Sequence, residues 1–127
     1  MFGWLSKTDK NAEQLIAQGN RLEDGGDLAR ACELYRQAAA LAPDYARAHL
    51  NLGIGLEASG DAQGARASYE KALALEPQNA AANYNLGKLL YTQGALEEAD
   101  GRLKRALAAK ADFPEARIVR GYVLQRA

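Results

Sequence analysis

The sequence has little cysteine, little proline, no surplus of either charge and no long apolar run. Cys32 is the only cysteine among 127 residues, so no disulfide can form within the chain. Three prolines leave long stretches free of helix breakers. Lys and Arg together number 16, as do Asp and Glu, which argues against a general affinity for nucleic acid or an anionic membrane. No run approaches the roughly 18 apolar residues of a membrane span.

The first residues do not have the pattern of a secretion signal. The apolar stretch MFGWL at residues 1–5 is too short for the core of a signal peptide, and Lys7 follows it rather than precedes it. We therefore expect a cytoplasmic protein. The length predicts a single domain, and the abundance of Ala, Leu, Glu, Gln and Arg favours helix almost everywhere.

One short motif points toward a nucleotide-binding enzyme. Residues 53–58 read GIGLEA, which matches the G-x-G-x-x-G/A loop that holds the pyrophosphate of a dinucleotide. That loop requires a β-strand running into its first glycine. The residues before Gly53 are rich in alanine, contain no β-branched side chain in 45–50 and do not alternate with period two. The motif alone is therefore weak evidence for nucleotide binding.

A repeat of 34 residues gives a better explanation of these glycines. Several residue types recur at this interval along the chain. The aligned positions are Gly19, Gly53, Gly87 and Gly121; Gly26, Gly60 and Gly94; Ala31, Ala65 and Ala99; Ala38, Ala72 and Ala106; Tyr35 and Tyr69, with Leu103 third; and Pro43 and Pro77, with Ala111 third.

Each repeat is predicted to contain two helices. In the second repeat the pattern indicates a helix from about 45 to 59, a left-handed turn at Gly60, an N-cap at Asp61 and a helix ending at about 75, before Pro77. Gly53 then lies in the middle of a helix, where glycine costs about 1 kcal/mol relative to alanine. We expect close approach of the partner helix, with Tyr69 filling the gap, to offset this cost.

These residues make the chain similar to the tetratricopeptide repeat (TPR) family, whose signature is W-x2-L-G-x2-Y, then A-x3-F, then A and P. The second repeat supplies His49, Leu52-Gly53, Leu56, Ala65, Tyr69, Ala72 and Pro77 in these places. The resemblance divides the chain into an apolar segment 1–11, repeats 12–45, 46–79 and 80–113, and a last segment 114–127. That segment is either a capping helix or the start of a fourth repeat in a longer protein. Ala111 in place of proline predicts a less sharp end for the last helix of the third repeat.

The resemblance implies an all-α fold, a right-handed solenoid of antiparallel helix pairs whose first helices line a concave groove. Carried over position by position, the family pattern predicts a peptide-binding groove lined by Ile16, Asn20, Leu50, Asn51, Ile54, Tyr84, Asn85, Lys88, Tyr91, Ile118 and Tyr122. Ile16, Leu50, Tyr84 and Ile118 would form an apolar column with one member per repeat.

Asn51 and Asn85 would form a short column of amides beside the apolar one. An amide offers two donors and an acceptor, so it can hold a peptide backbone without reading its sequence. Such columns occur in related TPR arrays, including those of O-linked N-acetylglucosamine transferases. The alternative interpretation, that both are ordinary residues of a solvated helix face, stays open.

In one known binding mode of TPR domains, cationic side chains clamp the carboxylates of a partner's acidic C-terminal tail. In this chain its three cationic positions are occupied by Ile16, Ala81 and Asn85, so we do not expect that mode.

The sequence contains no evident catalytic group. His49 occupies a position between helices, so we expect a packed, hydrogen-bonded histidine, and Cys32 is expected to be a small core residue. We therefore predict a non-enzymatic module for protein–protein interaction, with no cofactor, metal, nucleic acid or membrane partner. Two alternatives remain. One is self-association through Phe2, Trp4 and Leu5. The other is a regulatory or substrate-recruiting arm of a larger enzyme, such as a glycosyltransferase.

Overall fold

The computed structural model describes residues 5–127, and these residues form helices joined by short connections. The helices are α1 Lys7–Asp24, α2 Leu28–Leu41, α3 Ala46–Ala58, α4 Ala62–Leu75, α5 Ala80–Thr92, α6 Leu96–Ala109 and α7 Pro114–Arg126. The predicted all-helical fold is confirmed. None of these helices combines the length and the hydropathy that crossing a lipid bilayer requires.

Short polar side chains begin several of the helices. Ser6 accepts a hydrogen bond from the Asp9 amide at 3.0 Å, and Asp27 accepts one from the Arg30 amide at 3.2 Å. The predicted cap at Asp61 is confirmed, because its Oδ1 accepts from the Gly64 amide at 2.9 Å. Each of these bonds satisfies an amide that lacks a partner within its helix. The helix α1 begins at Lys7, so residues 7–11 of the expected N-terminal segment are already helical.

A glycine with a left-handed backbone conformation makes the turn between the two helices of each pair. Gly26, Gly60 and Gly94 have φ values of 90°, 92° and 80°, which a residue with a Cβ atom adopts only under strain. These three residues are 34 positions apart and connect α1 to α2, α3 to α4 and α5 to α6. Connections this short make the two helices of each pair antiparallel.

The expected less sharp end of the third pair is wrong. The helix α6 ends at Ala109, in register with Leu41 at the end of α2 and Leu75 at the end of α4. Two later residues fix the segment after α6, which has no proline at position 111. Phe113 is buried just before α7, and the Arg117 side chain donates to the Ala111 carbonyl at 2.7 Å.

The chain divides into two compact units, Met1–Leu75 and Glu76–Ala127. The first, unit 1, contains α1 to α4, and its core includes Tyr35 and Tyr69, each almost fully buried. Within unit 1, α1 packs on α2, α2 on α3, and α3 on α4. Unit 2 contains α5 to α7. In it α6 packs on both α5 and α7, around buried side chains that include Leu103 and Val123.

Both glycines of the nucleotide-like motif are packing positions. A Cβ atom built on Gly53 would lie 2.6 Å from Tyr69 Cε1, and one built on Gly55 would lie 2.8 Å from Tyr35 Cδ2. The first contact joins α3 to its partner α4, as predicted, and the second joins α3 to the preceding α2. Because both residues lie inside a helix and against tyrosine rings, they do not form a phosphate-binding loop.

Candidate functional site

Unit 2 carries a cluster of rings and cations, which we call the aromatic surface, on α5 and α7. Its members are Tyr84, Lys88 and Tyr91 of α5, Phe113 at the start of α7, and Tyr122 and Arg126 of α7. The Tyr91 and Tyr122 rings stack with centroids 6.3 Å apart, and those of Tyr84 and Phe113 lie 5.0 Å apart. Two ring pairs therefore bridge α5 and the α7 segment.

Helix geometry explains why these side chains meet. Positions 84, 88 and 91 follow the spacing i, i+4, i+7, which places them on one face of α5. Positions 118, 122 and 126 are likewise spaced by four on α7. On the opposite side of α7, Ala116, Val119 and Val123 are buried, which leaves Ile118 and Tyr122 facing solvent.

The aromatic surface is partly exposed and is rich in cations. Tyr122 is 50% exposed and Ile118 is 55% exposed, values that are high for large apolar side chains. Lys88 Nζ lies 5.6 Å from the Tyr84 ring centroid, and Arg126 Cζ lies 5.1 Å from that of Tyr91. These distances fit cation–π interactions. The surface thus combines exposed apolar area with positive charge.

The predicted amides adopt matching conformations in the two units. Asn51 donates to the Arg47 carbonyl at 2.9 Å, and Asn85 donates to the Ala81 carbonyl at 2.8 Å. Each bond joins the side chain to its own helix four residues earlier and uses one of the two amide hydrogens. Asn20 differs, because its side-chain amide contacts another side chain and lies 2.7 Å from the Tyr35 hydroxyl.

The predicted apolar column does not exist in unit 1. Ile16 is 1% exposed and belongs to the core cluster with Ala12, Ala31 and Tyr35. Leu50 is also buried, at 9% exposure. The expectation that these two side chains line an exposed surface is therefore corrected. Of the residues predicted from α3, Asn51 and Ile54 keep partial exposure.

The predicted site residues of unit 2 lie on the first helix of the pair and on α7. The structure brings Tyr84, Lys88, Tyr91 and Tyr122 into the aromatic surface. Ile118 lies on the same helix face as Tyr122, and Asn85 follows Tyr84 on α5. Sequence reasoning missed Phe113 and Arg126, although Phe113 directly precedes Pro114, and a proline is typical of the first position of a helix.

A second feature that the sequence analysis missed is a set of tyrosine–carboxylate bonds in unit 1. The Tyr69 hydroxyl donates to Glu57 at 2.6 Å, and the Tyr35 hydroxyl donates to Glu23 at 2.8 Å. Burial, followed by the hydrogen bond to the carboxylate, raises the pKa of both tyrosines. Glu23 and Glu57 are 34 residues apart, so the repeat interval could have revealed the pairing.

His49 is a structural residue, as predicted. Its Nε2 is 2.8 Å from the Pro43 carbonyl, and the side chain is buried. Asn83, one repeat later, donates to the Pro77 carbonyl at 3.1 Å, and Arg117, two repeats later, donates to Ala111. Three different side chains at one repeat position thus bind the carbonyl six residues before them.

Cys32 is buried, and this burial raises the pKa of its thiol, which disfavours the reactive thiolate.

Comparison with protein families identifies the repeat. A family model described as "Tetratricopeptide repeat" matches residues 56–121, and a second, "TPR repeat", matches residues 19–60. The chain belongs to the tetratricopeptide repeat family. No curated protein matches the chain significantly.

Solved structures share the fold over almost the whole chain. The first TPR of Spaghetti (RPAP3), bound to the HSP90 peptide SRMEEVD, is 20% identical, with 93% of this chain and 94% of that chain covered at a TM-score of 0.87. The Yersinia enterocolitica secretion chaperone SycD, in complex with a YopD peptide, is 20% identical, with 92% and 95% covered at 0.81. PilF of Pseudomonas aeruginosa is 27% identical, with 95% of this chain and 55% of that one covered at 0.86. This chain therefore spans about half of that PilF structure.

Proposed function

We propose that this protein is a non-enzymatic interaction module that binds a peptide or a partner helix, and that the aromatic surface of unit 2 carries the binding. The observation that supports this most is the exposure of Tyr122 and Ile118 beside the stacked Tyr91 ring. Large aromatic side chains on a partly exposed surface are the residues that most often anchor a partner, because they bury much area with little loss of side-chain freedom.

Two relatives of the same fold support binding of a peptide rather than of a small molecule. The Spaghetti (RPAP3) domain binds an HSP90 peptide and SycD binds a YopD peptide. Both proteins are 20% identical to this chain, so their peptides do not identify its partner. The chemistry of the partner is inferred from this chain's own residues.

Binding of an acidic C-terminal tail through the family's cation clamp is not part of this proposal. The positions that would carry the clamp cations hold Ile16, Ala81 and Asn85, and Ile16 is buried. Asn85, next to Tyr84 on α5, remains part of the proposal as a weaker contact, whereas Asn20, Asn51 and Ile54 of unit 1 stay predictions from the sequence. A backbone hydrogen bond from an amide contributes about 1 kcal/mol, and a buried aromatic anchor about 2 kcal/mol or more.

A selection from a random library of displayed twelve-residue peptides tests the proposal without assuming a partner. The selected peptides are then synthesised and titrated by fluorescence anisotropy against the wild type and three variants. We expect Tyr122→Ala to weaken binding about 30-fold and Asn85→Ala about fivefold. Arg105→Ala, which removes a cation from the exposed face of α6, serves as the control and should change little.

Two outcomes would contradict the proposal. One is a library that yields no saturable binder. The other is a set of binders that tolerate Tyr122→Ala but are lost with Arg105→Ala, which would move the site to α6. Sedimentation of the wild type over a concentration series separates the self-association alternative, because a self-associating chain gains mass without any peptide. Of the residues predicted for that alternative, Phe2 and Trp4 lie outside the described residues, and Leu5 is half-buried.

A further inference from the structure

We propose that the partner segment of the aromatic surface is acidic, with Asp or Glu side chains flanking an apolar or aromatic residue. This inference rests on the proposed function and adds the chemistry of the peptide. It concerns side-chain carboxylates within a segment, not a free C-terminus.

The charge of the two helices supports an acidic partner. The sequence of α5 contains no Asp or Glu, and α7 contains only Glu115, in its first turn. Lys88 and Arg126, by contrast, stand over the rings of the aromatic surface. Among residues 5–127 neither cation has a carboxylate within ion-pair distance. The surface therefore carries positive charge that the described part of the chain does not neutralise.

The other arginines of α7 are already engaged, so Arg126 is the arginine of α7 on the aromatic surface, together with Lys88 of α5 and with Lys110, whose Nζ lies 4.7 Å from the Phe113 ring centroid. Arg120 donates to Asp100 at 2.7 Å, and this hydrogen bond lowers the pKa of the Asp100 carboxyl. Arg117 donates to the Ala111 carbonyl. Arg120 thus ties α7 to the first half of α6, and Arg117 ties it to the segment that follows α6. Lys88 and Arg126 have no such structural partner, so their charge is available to a ligand.

The position of each cation suits a carboxylate that arrives with an apolar neighbour. Lys88 lies between Tyr84 and Tyr91 along α5, and Arg126 lies one helical turn beyond Tyr122 on α7. A peptide whose apolar side chain covers the Tyr91–Tyr122 pair brings its flanking residues toward Lys88 on one side and Arg126 on the other. Each contact would be a charge-assisted hydrogen bond, and its strength increases as the peptide excludes water.

Single-stranded nucleic acid is the other ligand that combines negative charge with stacking, and the geometry favours the peptide. Base stacking requires an open ring face. Here Lys88 and Arg126 stand over the faces of Tyr84 and Tyr91, and Tyr91 and Tyr122 stack on each other. The chain also has a formal net charge of zero, which provides no surplus for tracking a phosphate backbone.

A set of five synthetic probes tests the inference, and the first three are twelve-residue peptides with blocked termini. The acidic probe carries Leu-Trp-Leu flanked on each side by two Asp or Glu residues. Its matched controls replace the acids with Asn and Gln, or with Lys. A fourth probe carries Leu-Trp-Leu with a free C-terminal carboxylate and no acidic side chain, and a fifth is a single-stranded oligothymidylate. All five are titrated by fluorescence anisotropy at low and at high salt.

We expect the acidic peptide to bind about tenfold more tightly than its amide counterpart at low salt, and the difference to shrink at high salt. Lys88→Gln and Arg126→Gln should each weaken the acidic peptide about threefold and leave the amide peptide unchanged. Arg105→Gln, which removes a cation from α6, should affect neither. The free-carboxylate probe should bind no better than the amide peptide.

Each contrary result overturns the inference. Equal binding of the acidic and amide peptides removes the charge preference, and so does a preference that survives Lys88→Gln combined with Arg126→Gln. In both cases the proposed function stands if Tyr122→Ala still weakens binding. Tighter binding of the free-carboxylate probe would assign the cations to a C-terminus. Preferential binding of the oligothymidylate, or no binding of the acidic peptide, would overturn the inference as well. The library selection then decides the proposed function independently.

Discussion

At the scale of single residues, glycine at the recurring helix position is explained by a side chain sixteen residues later. Cβ atoms built on Gly19, Gly53 and Gly87 would lie 2.5, 2.6 and 2.9 Å from atoms of Tyr35, Tyr69 and Leu103. The fourth member, Gly121, has no atom within 4 Å of its built Cβ. The close approach is therefore a property of the helix pair and not of the glycine alone.

Two substitutions of the same type separate packing from helix propensity. Gly53→Leu forces a side chain into the Tyr69 ring and should lower the free energy of unfolding by about 1–3 kcal/mol. Gly101→Leu, inside α6 with no atom within 4 Å of a built Cβ, should raise it by up to about 1 kcal/mol. Urea denaturation measures both. Similar changes at the two sites would refute the packing explanation.

The buried tyrosine hydroxyls predict a loss of stability in alkali. The pKa of Tyr69 is raised in the folded protein, while that of an unfolded tyrosine is about 10. A group whose pKa is raised on folding contributes its full stability below the unfolded value and loses it as the pH rises. The wild type should thus lose stability progressively as the pH rises above about 10.

Tyr69→Phe tests this pH dependence. The variant should be less stable than the wild type at neutral pH by about 1–2 kcal/mol, because the bond to Glu57 is lost. Its stability should fall less in alkali, with Tyr35 accounting for part of the remaining loss. Urea denaturation at several pH values provides the measurement, and the half-exposed Tyr122→Phe is the control. A fall as steep as that of the wild type would remove Tyr69 as a cause.

At the scale of helices and their connections, the side chain at one repeat position contacts a backbone carbonyl of the segment that joins consecutive helix pairs. His49, Asn83 and Arg117 differ in size and charge but contact the carbonyl six residues earlier in each case. Each such hydrogen bond contributes about 0.5–1.5 kcal/mol to stability. The requirement at this position is therefore a hydrogen-bond donor, which a pattern of identical residues does not reveal.

Substitution of Asn83 tests the requirement. Asn83 is fully buried and also donates to the Asn79 carbonyl at 3.1 Å. Asn83→Leu should destabilise the protein by about 1–3 kcal/mol, since it removes two side-chain hydrogen bonds that contribute about 0.5–1.5 kcal/mol each. Asn83→His should recover part of this loss, because histidine fills the same position in the preceding repeat. Thermal and urea denaturation of both variants measure the effect. If Asn83→Leu proves as stable as the wild type, the hydrogen bonds are dispensable.

At the scale of the whole molecule, helices contact their near neighbours along the chain. In unit 1, α4 packs on α3, and α1 packs on α2 and α3. Stability in such repeat proteins is close to a sum of local terms, so different parts of the chain can open separately.

A local defect should therefore have local consequences. Gly19→Leu places a side chain against Tyr35, between α1 and α2. We expect faster amide hydrogen exchange in α1 and α2, with protection in α6 and α7 nearly unchanged. Hydrogen exchange followed by mass spectrometry resolves these segments. A uniform loss of protection over all seven helices would indicate a single cooperative unit instead.

The sequence by itself determined the helices, their order and most of their ends. The 34-residue interval predicted the left-handed turns at Gly26, Gly60 and Gly94 and the packing role of Gly53, because both depend on local backbone geometry and on a contact within one repeat. It also placed Tyr84, Lys88 and Tyr91 on one face of a helix, since the spacing of residues fixes which side chains share a face.

Only the tertiary structure decided which of these faces are open. Ile16 and Leu50 occupy the same repeat position as Tyr84 and Ile118, yet the first two are buried and Ile118 is exposed. Repeat position sets the direction of a side chain, but neighbouring helices and side chains determine how much of it solvent reaches. The same reason explains Gly55, whose contact with Tyr35 crosses from one helix pair to the next, and Phe113, which meets Tyr84 from the start of α7. Contacts between repeats depend on the packing of helices distant in sequence, and a repeat pattern does not encode their distances.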